Sequence, residues 1–153
     1  MISKRTKYAL KAMLALADQY EKGPVLIADL AEREGIPKKF LEQILLDLKN
    51  AGFIQSKKGK GGGYFLRRRP REIRLGQIIR MFDGPLALLP CVSQTAYQRC
   101  SECRDERTCG IRLIMKDVRD ATAHILDNTS VADVQERVAE VLEADSKALS
   151  FEI

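Results

Sequence analysis

The sequence contains no tryptophan and a single histidine, and Phe and Tyr account for few of its 153 residues. This scarcity of aromatic side chains suits helices whose cores are packed with Leu, Ile, Val and Ala. No apolar run approaches the roughly 18 residues that a membrane span requires, and no signal peptide precedes the first predicted helix. We therefore expect a cytoplasmic protein whose thiols stay reduced, which makes structural disulfides rare.

Motifs for catalysis and for nucleotide binding are missing as well. A glycine-rich stretch at 59–63 lacks the G-x-x-x-x-G-K-[ST] pattern of a phosphate-binding loop, and no helix opens directly after it. We find no catalytic constellation and do not expect an enzyme. The hydrophobic content of 45% and the charged content of 31% indicate an ordinary folded protein. Its length of 153 residues indicates one domain, or one small domain with an appended helix.

Positive charge is concentrated in the first half of the chain. Residues 1–75 carry 17 Lys and Arg against 8 Asp and Glu, whereas residues 76–153 carry 9 against 13. Eight of the basic residues lie between Lys57 and Arg74, where Glu72 is the one acidic residue. Such a field attracts a polyanion, although a basic run is also consistent with a solvated face.

A helix-turn-helix unit is predicted after a first helix over 3–20, which Ser3 can cap. The first helix of the unit starts at Leu26 and ends at Gly35, which can adopt the left-handed conformation of a tight turn. The second helix opens with Pro37, a residue favoured at the first helical position, and in such units it enters the DNA major groove. Its predicted apolar stripe is Phe40, Leu41, Ile44, Leu45 and Leu48, with Ala31 at the close approach of the two helices and Ile36 between them.

A β-hairpin is predicted next, because short apolar segments flank the glycine-rich stretch. Phe53 begins the first strand and Tyr64 begins the second, while Lys60 lies at the tip between them. Such a hairpin is the wing of a winged helix-turn-helix, and its glycines let the backbone approach the sugar-phosphate chain of DNA. We therefore predict a mainly α fold with a small β-hairpin wing and a long C-terminal dimerisation helix.

The solvent face of the second helix and the wing supply the predicted DNA contacts. Lysine side chains suit phosphates, whereas glutamine can read adenine and glutamate can read the amino group of cytosine. Taken singly, each residue is more simply explained as an exposed position, and the prediction depends on the motif as a whole. The predicted DNA-binding residues are Lys38, Lys39, Glu42, Gln43, Lys58, Lys60, Gly61 and Tyr64.

All four cysteines lie close together, in the spacing C-x8-C-x2-C-x5-C, and are Cys91, Cys100, Cys103 and Cys109. Four thiolates in one loop meet the ligand requirements of a tetrahedral zinc or of an iron–sulfur cluster. A structural zinc site usually has two close cysteine pairs, and here Cys100 and Cys103 form just one; the single histidine, His124, lies well into the following helix. The spacing therefore favours an iron–sulfur cluster, of [2Fe–2S] or [4Fe–4S] type.

Cationic residues around the cysteines leave a second chemistry open. Arginine neighbours lower the pKa of thiols and would offset the negative charge of a thiolate-ligated cluster. They equally favour a thiol–disulfide switch between Cys100 and Cys103 that needs no cluster. Four inert buried cysteines are the remaining interpretation, which the polar surroundings disfavour. The arginines concerned are Arg99, Arg104, Arg107 and Arg112.

Three further helices are predicted in the second half of the chain, the first from Arg74 to about Met81. The second, from Ile111, carries the a/d pattern of a coiled coil, which predicts a homodimer contact. A helix packed on its own domain fits the same pattern. The last helix runs from Ser130 to about Ala144. The predicted dimer-interface residues are Ile111, Ile114, Val118, Ala121 and Ile125.

Several stretches match one known family in combination. They are Tyr8-Ala-Leu, Ile27-Ala-Asp-Leu-Ala, Phe40-Leu-Glu-Gln-Ile-Leu, Gly59-Lys-Gly-Gly-Gly-Tyr64 and the cysteine loop before the long helix. On these residues the chain resembles the Rrf-two family of bacterial regulators, which includes the IscR-type and NsrR-type iron–sulfur sensors. The resemblance implies a homodimeric winged-helix DNA-binding protein. It also implies that Glu42 and Gln43 face the groove, that Lys60 is the wing contact, and that the loop responds to iron–sulfur status, nitric oxide or redox state.

Two departures from the family pattern concern the cluster ligands. Members with a cluster have three cysteines, which match the first, third and fourth here, so Cys100 is additional. IscR-type proteins place a histidine three residues after the last cysteine, where this chain has Arg112. NsrR-type proteins use a carboxylate from the first helix of the partner subunit, yet no Asp or Glu precedes Asp18. Cys100 is therefore the candidate fourth ligand; other family members have no cluster and sense through thiols or a partner protein.

We therefore predict a homodimeric, sequence-specific transcription regulator that binds double-stranded operator DNA under the control of an iron–sulfur cluster. The same fold acting as a thiol/disulfide switch is the alternative, and an electron-transfer or cluster-carrier protein is a more distant one. The predicted divisions are a winged helix-turn-helix over 1–82, a sensor loop over 83–110, the dimerisation and final helices over 111–145, and a tail over 146–153.

Overall fold

The computed structural model describes residues 1–151 of the chain. Within this range no helix is both long and apolar enough to cross a membrane. Short 3₁₀ turns occur at Pro70–Glu72 and Pro90–Val92. The longer elements, in chain order, are α1 (Lys4–Asp18), α2 (Ile27–Glu34), α3 (Lys38–Asn50), β1 (Ile54–Lys57), β2 (Gly63–Leu66), α4 (Leu75–Asp83), α5 (Gly110–Asn128) and α6 (Val131–Phe151).

Helix α1 begins where the sequence predicts, because Ser3 caps it. The Ser3 hydroxyl accepts a hydrogen bond of 3.1 Å from the Thr6 amide. Ala9, Ala12, Met13 and Leu16 are buried, so the helix buries a wide face. The small alanine side chains let other elements approach closely, and α1 contacts α2, α3, α4, α6 and β2. The hydrophobic core therefore lies around α1.

The predicted helix-turn-helix unit is confirmed. Gly35 adopts a φ of 64° after α2, and Ile36 is buried with its amide donating to the Ala31 carbonyl at 2.9 Å. In α3, four of the five predicted stripe residues are buried, but Phe40 is 60% exposed. That part of the prediction is wrong, because Phe40 lies at the edge of the stripe, where the Tyr8 ring covers it partly at 6.5 Å between centroids.

The wing is also confirmed, since β1 and β2 pair antiparallel and end with Lys57 opposite Gly63. The segment before α2 adds a contact that the sequence did not predict: Val25 and Tyr64 exchange two backbone hydrogen bonds of 2.8 Å. A Cβ atom on Gly63, whose φ is 143°, would lie 2.4 Å from the Val25 carbonyl oxygen, so glycine permits this approach. Helices α1–α3 and the hairpin form a winged helix-turn-helix, as the predicted fold class requires.

The last two helices continue the chain beyond the winged helix. At their junction, the Val131 amide donates to the Ile73 carbonyl at 2.9 Å, which joins the start of α6 to the segment before α4. Helix α6 continues to Phe151 rather than ending near Ala144, because no Gly or Pro interrupts it. The tail predicted over 146–153 is therefore helical as far as Phe151, and its last two residues lie outside the described range.

The substitution Gly63→Ala is expected to destabilise the protein more than Gly59→Ala. Both glycines have positive φ, 143° and 88°, so alanine is strained at either position. A Cβ at position 63 also meets backbone atoms, whereas one at position 59 has nothing within 4 Å. We expect urea denaturation to show a loss in unfolding free energy of about 3 kcal/mol for Gly63→Ala and about 1 kcal/mol for Gly59→Ala. Equal losses would contradict the close approach of the wing to the Val25 carbonyl.

Candidate nucleic-acid interface and cysteine loop

The predicted DNA contacts of α3 are exposed. Lys38, Lys39, Glu42 and Gln43 lie in the first half of the helix, and all four side chains face solvent. The buried residues of α3 occupy the opposite side at helical spacing, so the core fixes which face the helix presents. This face combines lysines that suit phosphates with two side chains able to read base edges.

The wing places further predicted contacts at its tip, where Lys58, Lys60 and Gly61 are exposed. Tyr64 differs from them because it is half-buried and its backbone N–H and C=O groups both bond to Val25. Its backbone is therefore committed to the fold, and its side chain alone is available for DNA. At the tip, the exposed Lys58 and Lys60 side chains can bind a phosphate backbone.

Asp47, an acidic residue outside the predicted contacts, lies beside Gln43. The Gln43 Nε2 atom donates to Oδ1 of Asp47 at 3.1 Å. Arg5, on α1, forms an ion pair with the other carboxylate oxygen of Asp47. The i, i+4 spacing of Gln43 and Asp47 is a signal that the sequence did contain. Arg5, which lies 42 positions before Asp47, gave no such signal.

Helix α5 is fastened to α4 by a bidentate ion pair. The Arg80 guanidinium donates to both carboxylate oxygens of Asp127, at 2.6 and 2.8 Å. This hydrogen bonding lowers the pKa of Asp127 below its ordinary value. A Cβ atom on Gly76 would lie 2.1 Å from an Asp127 oxygen, so glycine leaves room for the pair. The C-terminal end of α5 is thereby held against the winged helix.

The predicted dimer seam of α5 lies exposed on the single chain. Ile111, Ile114 and Ile125 are 68%, 59% and 62% exposed, and Val118 and Ala121 are also exposed. Over Gly110–Asn128 no residue is buried. The alternative in which this seam packs on its own domain is therefore wrong. An exposed apolar stripe of this size is typical of a protein–protein contact. The homodimer stays a prediction.

The cysteine loop joins α4 to α5 and holds its four thiols in different environments. Cys91 is buried in the 3₁₀ turn at Pro90–Val92, Cys100 is exposed, and Cys103 and Cys109 are half-buried. All four are free thiols. The interpretation of four inert buried cysteines is therefore wrong, because three of the four are not buried.

The three later cysteines belong to one part of the loop. The Cys103 amide donates to the Cys100 carbonyl at 3.2 Å, which closes a short turn between them. Desolvation raises the pKa of the Cys103 thiol, and the neighbouring Cys109 and Cys100 act in the same direction, whereas Arg99 opposes them. The expected lowering of the thiol pKa by neighbouring arginines therefore does not hold at Cys103, where desolvation outweighs Arg99.

Two arginines of α5 hold the Cys91 end of the loop. The Arg112 Nε atom donates to the Cys91 carbonyl at 3.3 Å, and the Arg119 guanidinium donates to the Val92 carbonyl. The Arg119 side chain is 11% exposed, so this contact is largely shielded from water. The sequence identified Arg112 as a charge near the thiols but did not identify Arg119. Both bind backbone carbonyls and thereby position the loop on α5.

The four cysteines fit an iron–sulfur cluster in their chemistry, since thiolates are the ligands that such clusters take. Across residues 1–151, however, no three His, Cys, Asp or Glu side chains are grouped closely enough to hold a metal ion. A cluster on all four thiols therefore requires the loop to bring them together.

Comparison with known proteins identifies the group to which this architecture belongs. The family model Rrf2, described as an iron-dependent transcriptional regulator, matches residues 2–137. The chain belongs to the Rrf2 family. An rrf2-like HTH-type transcriptional regulator of Rhodobacter capsulatus is 42% identical over 137 residues, which cover 88% of this chain and 91% of that protein.

Solved structures of Rrf2-type regulators have the same fold. CymR, the global cysteine regulator of Bacillus subtilis, superposes with a TM-score of 0.75 at 28% identity, over 90% of this chain and 97% of CymR. IscR of T. potens superposes with a TM-score of 0.73 at 29% identity, over 92% of this chain and 90% of IscR. The fold and the family resemblance predicted from the sequence are therefore confirmed.

Thiol alkylation of the metal-free protein is expected to be fastest at Cys100 and slowest at Cys91, because the first is exposed and the second is buried. Arg119→Ala should raise the rate at Cys91 about tenfold, since it removes a charged hydrogen bond to the Val92 carbonyl. Mass spectrometry of peptides after timed alkylation measures each site. Arg107→Ala, at a side chain that is 90% exposed, is the matched control and should leave Cys91 unchanged. Equal rates at Cys91 in the wild type and Arg119→Ala would contradict the anchoring role.

Proposed function

We propose that this chain is a cytoplasmic, homodimeric transcription regulator that binds specific DNA sequences and has no enzymatic activity. We further propose that an iron–sulfur cluster ligated by Cys91, Cys100, Cys103 and Cys109 controls its DNA binding. One observation carries the proposal: the cysteine loop directly connects α4, which packs against α1 of the winged helix-turn-helix, to α5, whose apolar seam is exposed. A rearrangement of this loop therefore acts on the DNA-binding unit and on the proposed dimer contact together.

The DNA-binding part of the proposal follows from the exposed face of α3 and the wing tip. In a winged helix-turn-helix the second helix of the unit enters the major groove, while the wing contacts the backbone or the minor groove. Glu42 and Gln43 are the proposed base-reading residues, and Lys60 is the proposed wing contact. Lys38 and Lys39, at the start of α3, are proposed to bind phosphates.

The homodimer is supported by the exposed stripe that includes Ile111, Ile114 and Ile125 on α5. Two copies packed along this stripe would bury apolar surface that a single chain leaves in water. They would also present two copies of α3 at one separation, which suits an operator with two half-sites. The spacing of the half-sites would then depend on how α5 is held relative to α3.

The cysteines and arginines of the loop supply the proposed control. A bound iron–sulfur cluster supplies reversible one-electron redox chemistry and can be lost or damaged when conditions change. Ligation requires Cys91 and the other three thiols to come together, next to the backbone carbonyls that Arg112 and Arg119 bind. Cys109 immediately precedes α5, so a change at this thiol acts directly on the first turn of that helix.

A thiol–disulfide switch is the second candidate function. The observation that favours it is the short turn in which the Cys103 amide donates to the Cys100 carbonyl, with both thiols free. An oxidant that accepts two electrons and two protons would convert this pair into a disulfide.

Anaerobically purified protein is expected to contain iron and acid-labile sulfide, with about one sulfide per iron, and to absorb broadly in the visible range. Cys91→Ser should lower the iron content at least several-fold, because it removes one of four proposed ligands. Ser101→Ala, in the same loop, removes no thiol and is the matched control, expected to retain the iron. Elemental analysis and visible spectroscopy measure both quantities.

A colourless protein that takes up no iron after anaerobic reconstitution would contradict the cluster and leave the thiol switch. In that event Cys100→Ser should abolish the response of DNA binding to a mild oxidant. An unchanged response would contradict the switch as well.

The substitution Lys60→Ala is expected to weaken binding to the operator and to unrelated DNA by similar factors, because a phosphate contact carries no sequence information. The slope of log affinity against log salt concentration should fall by about 0.9, the value expected for one lost phosphate contact. Fluorescence anisotropy with labelled duplexes over a salt series measures both effects. Lys147→Ala, on α6, removes the same charge at a distant site and serves as the control. Absence of any salt dependence in the wild type would instead favour an electron-transfer or cluster-carrier role.

A further inference from the structure

The Gln43 side-chain amide forms a hydrogen bond with Asp47, four positions further along α3. The donor is Nε2 of Gln43 and the acceptor is Oδ1 of Asp47, at 3.1 Å. An ionised carboxylate can only accept hydrogen bonds, so it selects the amide nitrogen of Gln43 and turns the amide oxygen away. Without that bond the two ends of the amide could exchange places by rotation about the last side-chain torsion.

Asp47 is itself held in place from a different helix. Its second carboxylate oxygen accepts a hydrogen bond from the Arg5 guanidinium of α1. The same guanidinium lies 5.5 Å from the centroid of the Phe82 ring on α4. Asp47 is 26% exposed and Arg5 is 47% exposed at the side chain, so the pair lies at the rim of the core rather than free in solvent. The position of the Asp47 carboxylate is therefore set by α1 and α4 as well as by α3.

Asp47 carries a negative charge on α3, the helix proposed to enter the DNA groove. A bare carboxylate on a helix that approaches DNA repels the phosphates, which weakens binding to every sequence. The ion pair with Arg5 compensates that charge locally. With its charge compensated by Arg5, the Asp47 carboxylate can orient the Gln43 amide without strongly repelling DNA.

The remaining hydrogen-bonding groups of Gln43 match one base. Nε2 carries two hydrogens, and Asp47 uses one of them, which leaves one N–H donor and the Oε1 acceptor. Adenine offers the complementary pair in the major groove, the N7 acceptor and the N6 amino donor. With the amide fixed, donor and acceptor keep one arrangement instead of alternating between two.

We propose that Asp47 is a positioning residue for base readout: it orients the Gln43 amide, and Arg5 holds Asp47 for this task. The inference depends on the proposed function, because it takes Gln43 to face the major groove. Asp47 then contributes to sequence discrimination without touching a base. Its contribution acts at the single base pair that Gln43 reads and at no other.

The test uses the full-length protein and a duplex selected from a randomised DNA library by the wild type. Affinities of the wild type, Gln43→Ala, Asp47→Ala and the double variant are measured for this duplex and for its single base-pair substitutions. Asp29→Ala, on an exposed position of α2, removes the same charge elsewhere and is the matched control. Thermal unfolding confirms that each variant is folded before its affinity is compared.

We expect Gln43→Ala to lose discrimination at one base pair, by about tenfold, the scale of a single bidentate base contact. Asp47→Ala should lose most of the discrimination at the same base pair, and the double variant should lose no more than Gln43→Ala alone. Discrimination at the other base pairs, and throughout in Asp29→Ala, should match the wild type. A structural defect in α3 would instead weaken binding to every duplex.

Two results would overturn the inference, and they have different meanings. If Gln43→Ala loses discrimination but Asp47→Ala keeps it at that base pair, Asp47 does not position the amide, and the proposed function stands. If the wild type prefers no duplex over bulk DNA, or Gln43→Ala leaves every preference unchanged, the assignment of Gln43 in the proposed function fails and the inference fails with it.

Discussion

Close packing against α1 is the constraint on which the rest of the structure depends. Ala9, Ala12 and Ala15 are buried, and their small side chains let several elements share this one helix as a support. A larger side chain at such a position costs about 1–3 kcal/mol, because a packed core cannot expand locally. The helix that presents the proposed base contacts and the helix that leads into the cysteine loop both contact α1. The proposed DNA-binding helix and the helix before the cysteine loop are therefore both positioned by α1.

Local patterns were sufficient to predict most of the fold. The left-handed Gly35, the buried Ile36 and the glycine-rich wing each leave a signature within a few residues, and the structure contains all of them. Contacts between distant segments left none: neither the pairing of Val25 with Tyr64 nor the ion pair of α1 with α3 has a periodic pattern. The exposure of Phe40 could not be predicted for the same reason: how much of the apolar stripe of α3 is buried depends on the neighbouring helices.

The sequence supplied candidate residues for the sites but not their arrangement. Residue type and spacing singled out the cysteines, yet the burial of Cys91 depends on α5, whose arginines bind the backbone of that turn. Backbone carbonyls are present at every residue, so a sequence cannot indicate which ones an arginine will bind. The sequence therefore contains no signal for the role of Arg119, whose side chain is 11% exposed. Basic residues thus serve two purposes here: exposed lysines of the first half suit DNA, and arginines of α5 organise a loop.

The bridge between Val25 and Tyr64 has a consequence for how this architecture tolerates divergence. Because both hydrogen bonds join backbone atoms, the wing keeps its attachment when Val25 is replaced by another side chain that packs against the core. Proline is the exception, since it has no N–H group to donate. Position 63 is much less tolerant, because any Cβ atom there meets the opposite carbonyl. The attachment of the wing thus depends on the backbone at positions 25 and 64 and on the missing side chain at position 63, and apolar side chains of different shape at position 25 are compatible with it.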